Sequence, residues 1–168
     1  IVGKRIKESR IINKTIDGRY VNLSTSRSLN EIGKNSVIKI SKYFNILFKV
    51  LFNLINHNPD KVYIAISAKG IGFYKDFPIA LLAKLFGKPL VLHYHPKGVS
   101  ERQNLFFDNF LYKILFKNTK VILLSESLYD DVKKYVLPED VSYCANGIPI
   151  AKLSKNIKQD LNEIPQLL

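Results

Sequence analysis

A chain of 168 residues, 46% of them hydrophobic, can bury one substantial core, and its length favours one domain over two. A single cysteine, Cys144, excludes an internal disulfide and points to no oxidising compartment, so a cytoplasmic protein is expected. The formal charge is +12, and residues 1–60 hold 11 Lys and Arg against 4 Asp and Glu, a net +7; such a basic end suits nucleic acid, anionic headgroups or phosphate-bearing substrates, and equally a plain solubility bias.

The chain opens at Ile1 without a signal peptide and contains no methionine, which reads as a fragment. Lys4 to Lys14 has a helical pattern, and Gly18 turns it into a short strand, Arg19 to Ser24. Ser28 to Lys34, with Gly33, reads as a loop. From Val37 to Ile55 apolar residues recur every three or four positions, predicting a long amphipathic helix. Asn45, Lys49 and Asn53 interrupt it, so it falls short of the ~20 nearly uncharged residues of a membrane span. Asn58-Pro59-Asp60 stops the helix, and the β-branched run Lys61 to Ser67 predicts a strand covered on both faces.

The pattern then repeats. Phe77 to Phe86 is helical, Gly87 caps it, and Pro89 to His95 is a second buried strand. Leu105 to Phe116 predicts a helix, Lys120 to Ser125 a strand, Ser127 to Tyr135 a helix ended by Pro138, and Val141 to Cys144 a short strand. Strand and helix alternating in this way imply right-handed βαβ crossovers: an α/β, Rossmann-like open parallel sheet with helices on both faces. Residues 1–150 form that domain, and 151–168 read as a C-terminal tail.

Ligands of such sheets lie beyond the carboxyl ends of the strands. There stand His93-Tyr94-His95-Pro96-Lys97-Gly98, in which the two histidines share a face. Either can hydrogen-bond a sugar hydroxyl or pack under a helix, with packing favoured for His93 and ligand for His95. Without a neighbouring Cys, Asp or Glu they make a weak metal set, and no metal is expected. Ala68-Lys69-Gly70-Ile71-Gly72 is either a loose phosphate loop, with a helix starting near Tyr74 or Lys75, or a plain tight turn. Lys69, Lys97 and Arg102 would suit an anionic acceptor, although each alone also reads as a solvated loop charge. Cys144 is expected in the core and His57 at a helix C-terminus.

The run Pro78 to His95, with its Gly87-Lys88-Pro89 and its closing His-Tyr-His, resembles the N-terminal domain of family 4 (group 1) GT-B glycosyltransferases. Val121 to Leu128, a strand ending in Ser, and Cys144 to Pro149, with Asn146-Gly147-Ile148, follow in the family's order over residues 60–150. The resemblance implies transfer of a sugar from a nucleotide sugar, as co-substrate, with retained anomeric configuration and no required metal or other cofactor. It makes His95 the catalytic-site histidine, and Ser125, Asn146, Gly147 and Gly3 donor-side positions. Lys69, Gly70, Lys97 and Arg102 fall on the acceptor side. The acceptor would be a cell-envelope polysaccharide or a glycolipid. The same resemblance implies that the domain's first strand is missing, and it makes 151–168, otherwise a tail, the start of an interdomain segment. The partners implied are a C-terminal donor-binding domain, a sugar or lipid-linked acceptor and, through the basic end and the long apolar helix, the anionic inner face of a membrane. Two departures stand out: His-Pro-Lys-Gly replaces the usual His-Gly, and Ile66 to Lys69 lacks the histidines common there. The alternative is a basic Rossmann-like module that binds nucleic acid or a small ligand without catalysis. Nucleic acid is not expected, because the cations are spread over several elements and no helix-turn-helix is present.

Overall fold

The structure is a computed structural model that describes residues 6–24 and 37–145. Its elements are α1 (Arg10–Thr15), α2 (Val37–His57), β1 (Val62–Ile66), α3 (Gly70–Leu85), β2 (Leu90–Tyr94), α4 (Val99–Arg102), α5 (Phe106–Phe116), β3 (Thr119–Leu123), α6 (Tyr129–Val132) and β4 (Val141–Tyr143). Short 3₁₀ turns, Glu126–Leu128 and Pro138–Asp140, precede α6 and β4. The four strands are parallel in the order β1-β2-β3-β4, with Ile64, Leu92, Val121 and Val141 in register. This is the open α/β sheet that the alternation of elements implies.

Every crossover among the described residues steps the same way across the sheet, so right-handed connections bring the helices between β1 and β4 to one face, where the sequence pattern predicts helices on both. Burial follows that rule. Ile64, Ile66, Leu92, Tyr94, Val121 and Leu123 are buried, whereas Tyr63, Ala65, Lys120 and Ser142 on the alternate face are exposed. Two fully buried alanines, Ala80 and Ala83, let α3 lie close on β1 and β2, and Phe73 fills the gap to Tyr112 of α5 with ring centroids 4.8 Å apart. Gly87, at φ +67°, ends α3: its N–H donates to Lys84 O at 2.9 Å and that of Lys88 to Ala83 O at 2.9 Å. This paired closure satisfies carbonyls that a helix end otherwise leaves unpaired, and it needs a left-handed residue that glycine supplies without strain.

Three expectations are corrected. Arg19 to Ser24 forms no strand; Val21 and Leu23 pack on the core instead, and Leu23 O accepts from the Lys75 ammonium at 3.2 Å, so the segment lies against α3 rather than along a strand edge. Helix α3 begins at Gly70, a turn before Tyr74, because Gly70 turns out of β1 at φ +67° and Gly72 lets the first turn sit on Ser67, whose Oγ would be 2.7 Å from a Cβ there. Cys144 lies just past β4 and is exposed, because β4 is a half-covered edge strand rather than a core strand. The loop expected at Ser28 to Lys34, and the start of the first helix at Lys4, lie outside the described residues.

Helix α2 uses only part of its apolar surface in the core. Ile46, Val50 and Leu54 are buried, and the Tyr43 hydroxyl donates to Lys75 O at 2.9 Å, but Ile40, Phe44, Phe48, Phe52 and Ile55 are exposed. No helix among the described residues is long and apolar enough to cross a membrane. His57 closes α2 as its last residue and is exposed, as a C-terminal position requires.

Candidate functional site

The carboxyl ends of β1, β2 and β3 converge on Ser67, His95 and Leu124, and the chain between β2 and α5 forms the rim above them. That rim is held by one buried carboxylate. Asp131 of α6, 4% exposed, accepts at Oδ2 from the Tyr94 hydroxyl (2.5 Å), Gly98 N (2.9 Å) and Val99 N (3.0 Å). Its Oδ1 accepts from Ser100 N (3.1 Å) and the Ser100 hydroxyl (2.5 Å). Burial works to raise the Asp131 carboxyl, but the hydrogen bonds from Ser100, Tyr94 and the loop amides outweigh it and hold the group below the ordinary aspartate range. Burial, then the bond to Asp131, pushes the Tyr94 phenol up, so it stays a protonated donor. The first amides of α4 are thus satisfied internally and are not free to receive a phosphate.

Gly98 is the tightest point of the rim. Its φ is +151°, and a Cβ there would meet Lys69 Cδ at 2.7 Å and Ala68 Cβ at 3.2 Å. Gly98→Ala is expected to cost about 2 kcal/mol from backbone strain plus displacement of the Lys69 stem. The shift of the urea unfolding midpoint measures it, and an unchanged midpoint would mean that the loop relaxes freely.

His95 follows β2 directly and is half-buried; His93, within the strand, is 6% exposed. Their rings stack with centroids 4.3 Å apart and planes 20° apart. A hydrogen bond joins the Tyr63 hydroxyl to His93 Nδ1. Nε2 of each histidine is buried with no hydrogen-bond partner. Burial lowers the pKa of both imidazoles, and at His93 the neighbouring His95 adds to the effect, so both are neutral near pH 7. Burial likewise pushes the Tyr63 phenol up to about 12.

The expected cationic positions gather on the same rim but are mostly engaged within the protein. Lys69 pairs with Glu101, and its stem lies under Gly98. Arg102 Nε donates to the buried Asp108 at 2.6 Å and its Nη2 to the Tyr74 hydroxyl at 3.2 Å, and these two bonds raise its pKa further. Lys97 is exposed on the loop. Gly70 is the turn into α3, and the Ser125 hydroxyl lies 2.9 Å from that of Ser127. Gly3, Asn146 and Gly147 lie outside the described residues. Among the described residues no three His, Cys, Asp or Glu side chains are grouped to hold a metal.

Three buried carboxylates escaped the sequence reading: Asp76, Asp108 and Asp131. Asp76 accepts from Ser67 N (3.0 Å) and the Ser67 hydroxyl (2.8 Å), closing the end of β1. A signal was present for Asp108, an acid set in the apolar helical run Phe106-Phe107-Asp108-Asn109-Phe110, but not for Asp131, which stands between Asp130 and Val132-Lys133-Lys134. Compared with protein-family models, curated proteins and solved structures, the chain matches none.

Proposed function

We propose that this chain is the acceptor-side domain of a retaining GT-B glycosyltransferase, working in the cytoplasm with a nucleotide sugar as co-substrate and a second domain to grip the donor. The observation that supports it best is His95: an imidazole at the carboxyl end of a parallel strand, with a buried, unpartnered Nε2, beside a loop anchored from below. Neutral imidazole can take or give a hydrogen bond to a sugar hydroxyl, and a loop pinned by four hydrogen bonds to Asp131, with a fifth from Tyr94 of β2, keeps that group in place while donor and acceptor are aligned. In this reading Asp131 and Gly98 are positioning residues, and the exposed Lys97 is the cation of the rim left to meet an anionic acceptor. The exposed apolar face of α2 supports contact with the membrane that would carry a lipid-linked acceptor.

The test is donor consumption. The full-length protein, incubated with a panel of nucleotide sugars, is expected to release nucleotide from one of them and to ignore polynucleotides at physiological salt. No donor consumed, with tight salt-sensitive polynucleotide binding in its place, would sink the reading.

A further inference from the structure

Two neighbouring imidazole nitrogens, both buried and both without a partner, are an unusual expense in a fold that satisfies its other buried side-chain polar atoms among the described residues. From the stacked pair His93 and His95, with Tyr63 bonded to His93 Nδ1, we infer a two-nitrogen site for a neutral hydroxyl-bearing ligand, a carbohydrate, in which His93 is a binding residue rather than core filling.

The chemistry selects the ligand class. The Tyr63 hydrogen bond leaves His93 Nε2 either as a donor or as an acceptor, according to whether Tyr63 gives or takes the proton. A hydroxyl group complements both states, because it can accept from N–H and donate to a bare nitrogen. A carboxylate only accepts, and phosphate near neutral pH accepts at most of its oxygens, so either would bind best to two rings that both present N–H, and the strongest pairing would need two stacked imidazolium ions. Burial opposes that charge at both rings, and at His93 the neighbouring His95 opposes it further. Zinc would use bare nitrogens, but it takes three or four protein ligands, and the described residues offer no third one nearby. The flanking strand positions Tyr63 and Ala65 are exposed, so a flat polar molecule can approach along the sheet face, and it reaches the two buried Nε2 atoms when the rings turn toward it.

This inference rests on the glycosyl-transfer reading for the expectation that a sugar is the natural ligand, yet it is tested without turnover. The ring nitrogens of His93 and His95 in the ¹⁵N-labelled 168-residue chain are followed by NMR while methyl glycosides of glucose, galactose, mannose and N-acetylglucosamine are added in turn. Inorganic phosphate and zinc ion are added separately. One glycoside is expected to shift both Nε2 resonances, with phosphate and zinc leaving them in place. Tyr63→Phe, a change at a 38% exposed strand position that preserves the ring, is expected to weaken that glycoside's binding about fivefold by freeing the His93 ring. Shifts caused by phosphate or zinc and by no glycoside overturn the inference, as does silence of the His93 ring toward every probe. Nucleotide-sugar turnover by the full-length protein with a silent His93 would leave the transfer reading standing and remove this one. Glycoside binding at both rings without any donor turnover would do the reverse.

Discussion

Asp131→Ala is expected to lower the stability of the domain by about 3 kcal/mol or more, the largest single-residue effect foreseen outside the apolar core. The carboxylate is the common acceptor of three backbone amides and two hydroxyls, drawn from β2 and the start of α4. Removing it strands buried donors that water reaches poorly, and each such group carries a penalty of about 1–3 kcal/mol. Asp131→Asn keeps the shape but turns an N–H toward an N–H on one side, so about 2 kcal/mol is expected there. Urea unfolding followed by circular dichroism measures both, and losses under 1 kcal/mol would mean that the rim does not depend on this anchor. The pH dependence has a fixed sign. Because the folded carboxyl titrates below its ordinary value of 3.8, the stability it adds is fully present above that pH and is lost as pH falls through the folded pKa. Wild-type protein should therefore lose stability on the acid side of pH 3.8 more steeply than Asp131→Asn.

His95→Ala is expected to reduce sugar transfer by the full-length protein about 100-fold while leaving the unfolding midpoint nearly unchanged. The separation follows from its place. His95 lies past the last hydrogen-bonded residue of β2 and no bond of its Nε2 holds the fold together, so the change removes a ring stack but no anchor and, on the proposed function, the contact to the sugar. The fall should appear in kcat, with KM for the donor little altered, if the imidazole acts on the reacting sugar rather than on ground-state binding. Equal activity of the variant would move the site elsewhere on the rim.

The elements most legible in sequence are those whose cause is local. The apolar runs of β1, β2 and β3 and the closure of α3 at Gly87 are carried by residues adjacent in the chain, and each forms within a residue or two of expectation. Errors arose where tertiary contacts overrode local pattern. The alternation in Arg19 to Ser24 suggested a strand, but Lys75, 52 positions away from Leu23, draws it onto α3. The helix expected to start near Tyr74 or Lys75 begins at Gly70, because Gly70 makes the turn out of β1 and Gly72 lets the first turn fit against Ser67. Cys144 read as a core residue because it was placed within a strand, whereas it lies just past β4, which is the sheet edge.

For the site, sequence pointed to His95 through its position after a strand, a local property. It could not show Asp131 as an anchor, because the groups that make it one lie 31 to 37 positions earlier in the chain. For His93, favoured as a packed residue and 6% exposed in the strand, alternation reveals the face that the side chain occupies but not whether its ring nitrogens find partners. The same distance in sequence hid the engagement of Lys69 by Glu101, 32 positions on, while the Arg102 to Asp108 pair, six apart, hid in a loop-to-helix junction with no fixed spacing rule.

The anomeric configuration of the product tests the central claim most directly. Full-length protein supplied with the donor it consumes and a lipid-linked or oligosaccharide acceptor, followed by proton NMR from the first turnovers, is expected to yield a glycoside of the same configuration as the donor, with no dependence on added metal. An inverted product, or donor left intact with every acceptor offered, would contradict it.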